Sequence, residues 1–379
     1  MIYLDYNATT PVLPRIYDAM QPYFSEFFGN PSSRTHLYGW DAREAVDKAR
    51  KQVAQLLGIT TRELVFTSGA TESVNLAIKG LYDQQFHTGK NHIITVSTEH
   101  KAVLDVCHYL EKYRGASLTL LEVDEQGQLD LDALESAITP RTLLVSVMLA
   151  NNETGGIHPL KKIGAVCRRS GVVLFSDATQ AIGKIPVHPK ELGVQLMAFS
   201  GHKMYAPKGV GGLFIDEELK IVEQQNGGGH ERNRRSGTLH VPGIVGLGEA
   251  AVLAGEHPGI YAGRIAALRD ELEQRLMDEL PGVSVHSRQI ERLPHVSNIH
   301  FEGVEAEALM LALSTHVALS AGSACNSASI LPSHVLTSMG ASEEEALSSI
   351  RFSLGIPTTP EEIESALQKL IPAVRHLRG

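Results

Sequence analysis

The sequence predicts an α/β fold: a seven-stranded, mostly parallel sheet with helices on both faces, followed by a smaller α+β unit. Two observations lead there. Short apolar runs rich in β-branched residues alternate with longer stretches of helical periodicity, the pattern of strand–helix–strand crossovers. After Gly227-Gly228-Gly229 that alternation gives way to one long helical pattern and shorter strand-like runs.

Taken in order, Asp41–Leu57 carries Ala42, Ala45, Val46, Ala49, Val53, Leu56 and Leu57 at helical spacing, and Gly58 ends it. Strands are expected at Leu64–Thr67, His92–Val96, Ser117–Val123, Thr142–Leu149, Val172–Ser176, Gln195–Phe199 and Gly212–Ile215. Helices between them are expected at Glu72–Phe86, Lys101–Tyr113 and Leu160–Arg169. A long helix follows over about Val245–Leu280, stopped by Pro281-Gly282. Then come Val283–His286, Val296–Phe301, Val317–Ser320 and Ser349–Leu354 as short strands. The expected division is a large domain over 15–255 and a small one made of 1–14 and 256–379.

Composition narrows the function. The 379 residues are 43% hydrophobic and 20% charged, enough apolar content for a sizeable core. With 34 Lys+Arg against 43 Asp+Glu the net charge is −9, which argues against general nucleic-acid binding. Cys107, Cys167 and Cys325 are widely spaced and imply no disulfide framework. The best apolar run, Thr142–Ala150, falls short of the ~18 residues a membrane helix needs. MIYLDYNATT has no basic region before an apolar stretch, so a cytoplasmic protein without a signal peptide is expected. No dinucleotide or P-loop glycine motif, no H-E-x-x-H and no metal-ligand spacing occurs.

In open parallel sheets ligands bind beyond the carboxyl ends of the strands. Five such ends here carry polar clusters: Thr67-Ser68-Gly69-Ala70-Thr71, Ser97-Thr98-Glu99-His100, Asn151-Asn152-Glu153-Thr154, Asp177-Ala178-Thr179-Gln180 and Ser200-Gly201-His202-Lys203. Each has a bland reading as a cap, a turn or a solvated lysine. Together they supply a helix start for a phosphate, a carboxylate for a protonated ring nitrogen and an amine for a Schiff base. Pyridoxal phosphate needs all three.

Two further features stand apart. Ala321–Ser329 is a run of small residues around Cys325, too poor in packing groups for a core and suited to a loop that carries a nucleophilic thiol (about 321–332). Arg351 alternates with Ile350 and Phe352, and is either a surface arginine or a fork for a carboxylate.

Beyond those clusters, the chain carries Tyr3-Leu4-Asp5-Tyr6-Asn7-Ala8-Thr9-Thr10, Gly29-Asn30-Pro31-Ser32-Ser33, Pro207-Lys208-Gly209, Arg235-Ser236-Gly237-Thr238 and Arg351-Phe352-Ser353-Leu354-Gly355. With these motifs the whole chain resembles the cysteine desulfurases of the NifS/IscS type, class V aminotransferase-like enzymes of pyridoxal-phosphate fold type I. The resemblance implies that Lys203 holds the cofactor and moves the substrate proton, that Asp177 pairs with the ring nitrogen and that His100 stacks on the ring. It assigns the phosphate to Ala70, Thr71, Ser200 and His202, the phenolic oxygen to Gln180, and the substrate carboxylate to Asn152 and Arg351. It gives Thr238 to the neighbouring subunit's phosphate, implying a homodimer, and makes Cys325 the persulfide-forming nucleophile. The substrate is then L-cysteine and the product L-alanine, with sulfur passed to an acceptor protein in iron–sulfur assembly, tRNA thiolation or thiocofactor synthesis. Two departures stand out: Asn226 where relatives often have His, and an end at Gly379 without the longer tail that docks an iron–sulfur scaffold, which leaves a specialised sulfur pathway open. A selenocysteine lyase or aminotransferase of the same fold, and a non-catalytic scaffold, are the competing readings.

Overall fold

The seven apolar runs pair into one sheet. Its strands are β1 (Leu64–Thr67), β2 (His92–Val96), β3 (Ser117–Leu121), β4 (Thr142–Ser146), β5 (Val173–Asp177), β6 (Leu196–Ser200) and β7 (Gly211–Ile215), in the spatial order β1-β7-β6-β5-β4-β2-β3. All neighbours pair in parallel except β7, which runs antiparallel to both β6 and β1. Two reversals leave β1 pointing the same way as the rest, so its carboxyl end joins the same edge. The computed structural model that gives this architecture describes residues 1–256, 259–321 and 331–379.

Helices cover both faces because successive side chains along a strand point opposite ways. Val65, Ile93, Leu144, Phe175, Leu196 and Leu213 pack in one core with helices α2 (Ala70–Gln85) and α3 (Lys101–Arg114). Their neighbours Leu64, Ile94, Val145, Leu174, Met197 and Phe214 pack in a second core. That side is built against α1 (Leu37–Leu57), α4 (Leu160–Arg169) and α5 (Val241–Glu256). Strands buried on both faces read as continuous apolar runs, which is why they were visible in the sequence.

Several boundaries differ from the sequence reading. Helix α1 starts four residues early, because His36 caps it: its Nδ1 accepts the Gly39 N–H at 3.2 Å. Strand β4 ends at Ser146, after which Val147 and Leu149 still donate to the carbonyls of Phe175 and Asp177. The helix expected over Val245–Leu280 is divided. It comprises α5, a five-residue stretch of wider π turns at Tyr261–Ile265, and α6 (Ala266–Glu279), with residues 257–258 outside the described residues. Gly255, Pro258 and Gly259 weaken helix propensity there, although the apolar period continues through them.

In the C-terminal part β8 (Val283–Val285), β9 (Val296–Phe301) and β10 (Ser349–Ser353) form an antiparallel sheet in the order β10-β9-β8. Leu272 and Leu276 of α6 join Ile299, Phe352 and residues of α7 (Pro360–Arg378) in its core. Helix α7 opens on a capping box between Thr359 and Glu362. The N-terminal strap runs beside β10. Ser353 donates its N–H to Leu4, Tyr6 donates its own to Ser353, and Asp5 bridges Ser353 in parallel.

Candidate active site

All five polar clusters meet at the carboxyl edge, around a cleft of about 1180 Å³. Ala70 and Thr71, His100, Asn152, Asp177 and Gln180, and Ser200, His202 and Lys203 all line it, as does Arg351 from β10. Thr238 is exposed and is not part of the lining. Cys325 lies outside the described residues. Leu331, Pro332 and His334, where the described chain resumes, form part of the wall.

The start of α2 is open. Its first N–H groups have no intrahelical acceptor, and its N-cap Gly69 provides no side chain to satisfy them. Gly69 has φ +152°, a conformation L-residues rarely adopt, and a Cβ at neighbouring Gly211 would lie 2.7 Å from the Gly69 Cα. Side chains are thus kept out of a cup that faces the positive end of a helix. Glu72 does not spoil it: although burial pushes its pKa up, Arg235, bonded at 2.7 and 3.2 Å, and the Ser68 N–H outweigh that and hold it below the usual range. His202 stays neutral, because burial and then the charges of Lys203, Lys208 and Lys184 push it down to about 4.

Asp177 ends β5, is 7% exposed, and its Oδ1 accepts the Thr179 N–H at 2.9 Å. Close to it lies Glu99, wholly buried, whose Oε2 has no hydrogen-bond partner among the described residues. Burial and then the charge of Asp177 push Glu99 up to about 8, so at neutral pH it keeps its proton. His100 caps α3, its Nδ1 accepting the Ala102 N–H at 3.1 Å, which places the ring proton on Nε2.

Lys203 closes a short turn after β6 and donates to the carbonyls of Asn7 at 2.5 Å and Ala8 at 2.7 Å. Asn7 is a hub with 1% exposure. Its Nδ2 donates to the Asn152 carbonyl, its Oδ1 accepts from His295, its N–H donates to Ser353, and its carbonyl also accepts from Gln180. Gln180 in turn accepts from the buried Lys184 at 3.1 Å. Because the Asn7 carbonyl only accepts, the Gln180 amide is fixed with its NH2 toward Asn7 and its oxygen toward Lys184. None of Asp5, Asn7, Glu99 or Lys184 was assigned a role from the sequence. The partners of Asp5, Asn7 and Glu99 lie far along the chain, and Lys184, bonded to Gln180 four residues before it, is marked only by its burial.

The chain matches the family model for aminotransferase class V over residues 2–366. It is 50% identical over 379 residues to a protein named cysteine desulfurase IscS of Anaeromyxobacter dehalogenans (strain 2CP-C), covering all of this chain and 93% of that one. Among solved structures, a NifS-like protein superposes with a TM-score of 0.92 at 35% identity, covering 99% of each chain. A structure titled SspA in complex with cysteine gives 0.83 at 36% identity, covering 93% of this chain and 99% of that one. The chain belongs to the cysteine desulfurases of the class V aminotransferase family.

For a cysteine desulfurase the state of the thiols matters. Cys107 and Cys167 are buried, and burial pushes both up to about 12, so neither supplies a thiolate at neutral pH. Cys325 is the remaining cysteine of the sequence. In this desulfurase Arg351 is not the surface residue its strand alternation allowed: it is 4% exposed at the cleft. Among the described residues no cluster of three His, Cys, Asp or Glu is placed to hold a metal, and no helix is long and apolar enough to cross a membrane.

Proposed function

We propose that this enzyme removes sulfur from L-cysteine, releases L-alanine and passes the sulfur through a persulfide on Cys325 to an acceptor thiol, with pyridoxal phosphate as cofactor. The observation that carries this is the meeting of Lys203, Asp177 and the uncapped start of α2 in one cleft. The donor set fits the cofactor: N–H groups at Ala70 and Thr71 with Ser200 and neutral His202 for a phosphate, Asp177 for a ring nitrogen, the Gln180 NH2 for a phenolic oxygen, and the Lys203 amine for an aldehyde. When bound, pyridoxal phosphate supplies an electron sink that makes the substrate's α-proton acidic and its Cβ–S bond labile.

The protein's own residues do the rest. Asn152 and Arg351 orient the α-carboxylate. Lys203, which would hold the cofactor, lies in the cleft where its amine would take the α-proton and return it. His100, which lines the cleft with its proton on Nε2, would stack on the cofactor ring and supply an acid for the substrate sulfur. The Cys325 thiolate attacks that sulfur. An S–S bond forms, the Cβ–S bond breaks with its electron pair left on carbon, and carbon takes a proton to give alanine. The acceptor thiolate then attacks the outer sulfur, and Cys325 leaves as thiolate.

We further read the protein as a homodimer, with 15–255 as its large domain. Tyr17, Phe24, Phe28, Leu37, Tyr38 and Trp40 are exposed within one short stretch of chain, an apolar surface that a second copy would cover. Thr238, exposed and outside its own cleft, suits a phosphate contact given to the partner.

The test uses two variants reconstituted with pyridoxal phosphate. Cys325→Ala keeps the visible absorbance of the bound cofactor and loses sulfur transfer to a protein thiol; Lys203→Ala loses that absorbance. Full sulfur transfer by Cys325→Ala would refute the persulfide route and favour an aminotransferase or lyase, and a colourless wild-type protein would favour a scaffold.

A further inference from the structure

Arg351 is a cation inside the protein. Its side chain is 5% exposed, and a buried guanidinium needs its donors met. One is met by Asp5, whose Oδ1 accepts from Nη2 at 2.9 Å, and one by the main-chain carbonyl of Asn152, which accepts from Nη1 at 3.1 Å. The Nε is buried and has no hydrogen-bond partner among the described residues. Arg351 and Asn152 line the cleft, whereas Asp5 does not. Asp5 therefore grips the guanidinium from outside the cleft, where a ligand in the cleft does not meet it.

We propose that Asp5 is the positioning residue for substrate recognition: it locks the Arg351 guanidinium plane so that its remaining donor edge, with Asn152, receives the α-carboxylate of an amino acid. The proposal rests on the reading of Arg351 as the carboxylate site. The backbone makes the grip rigid. Asp5 bridges Ser353 two residues beyond Arg351, the Asp5 carbonyl accepts the Ala8 N–H, and the Arg351 N–H donates to the Ser320 carbonyl at 2.8 Å. The same strap continues to Asn7 and Ala8, whose carbonyls hold Lys203. One stretch of four residues, Asp5 to Ala8, thus touches both the carboxylate fork and the amine, and both line the same cleft.

Charge alone argues the other way. Asp5 neutralises Arg351, and removing it would leave a bare cation that attracts carboxylates more strongly. The proposal holds that orientation outweighs this, because a guanidinium released from its main anchor no longer presents one fixed edge.

The experiment compares wild type with Asp5→Asn, which keeps an acceptor of the same shape, and Asp5→Ala, which removes it. Three quantities are read on the reconstituted enzyme: KM and kcat for L-cysteine, the inhibition constant of 3-mercaptopropionate, which has the carboxylate without the amine, and that of cysteamine, which has the amine without the carboxylate. In Asp5→Ala the KM and the 3-mercaptopropionate constant are expected to rise together by about tenfold or more, the scale of one hydrogen bond to a charged group, with cysteamine unchanged. Asp5→Asn should fall between. Equal weakening of both inhibitors would mark a merely structural role and overturn the proposal, as would tighter binding of 3-mercaptopropionate. Arg351→Gln separates the two levels. If it spares 3-mercaptopropionate binding, the carboxylate reading fails and the Asp5 proposal with it. If it abolishes that binding while both Asp5 variants match wild type, only the proposal fails.

Discussion

Removing the carboxylate of Glu231 tests how the loop that presents Thr238 is held. Arg50 and Glu231 form a buried bidentate pair, with Nη2–Oε1 at 2.5 Å, Nη1–Oε2 at 2.9 Å and side chains 7% and 1% exposed, respectively. The pair is embedded further. Arg50 donates to the Leu64 carbonyl, Glu231 accepts the Phe66 N–H at 2.8 Å, and the guanidinium lies 4.5 Å from the Phe66 ring centroid. It fastens α1 and β1 to a turn in which Glu231, Arg232 and Asn233 all have positive φ, between 48° and 60°. Glu231→Ala leaves Arg50 buried without a counter-ion, a loss of roughly 3–5 kcal/mol. The orphaned Phe66 N–H adds about 1–3 kcal/mol. Relaxation of three left-handed residues, worth about 1 kcal/mol each, returns a similar amount. The expected net loss is about 1–5 kcal/mol. Urea unfolding of the apoprotein, followed by circular dichroism, measures it, with Glu231→Gln intermediate. A loss under about 1 kcal/mol would refute the reasoning. So would a paired Arg50→Met, Glu231→Leu variant no more stable than Glu231→Ala, because an apolar pair should recover much of the loss.

Two other perturbations have worked signs. Burial, reinforced by Lys203 and Arg351, holds Lys184 well below its ordinary 10.5, so between those values the unfolded chain binds more protons and stability climbs with pH. Lys184→Met removes that climb: its advantage over wild type in urea midpoint should be largest near neutral pH and shrink toward pH 10.5, and a pH-independent difference would count against the buried-amine account. Gly69→Ala forces a side chain onto φ +152°, and its Cβ meets only Ser200 Oγ at 3.4 Å, so the cost is backbone strain of about 1–3 kcal/mol placed at the cup. Pyridoxal phosphate affinity, read by fluorescence titration of the apoprotein, should fall about tenfold, and an unchanged affinity would argue that the phosphate is held elsewhere.

What could be read from the chain follows from what leaves a local trace. A strand buried on both faces is a continuous apolar run, so its end is visible, and Asp177 and Lys203 declared themselves by where those runs stop. The division after α5 left only a weak trace in Gly255, Pro258 and Gly259, since the apolar period runs on through them. His36 as a helix cap was hidden because histidine is not a usual capping residue. The strap was hidden for a deeper reason. Asp5 and Asn7 act on partners up to 346 positions away, and nothing in Asp5-Tyr6-Asn7-Ala8 itself specifies a cation to hold. Glu99 shows the same limit in its charge state: its neutrality depends on total burial and on Asp177, which belongs to a different strand. The polar clusters that line the cleft therefore sit at strand ends, where topology alone brings them together. The groups that set their orientation and charge come from segments whose common property is the site they surround: Asp5 and Asn7 sit in a motif that marks the family without stating what either holds, and Lys184 sits in none of the quoted motifs.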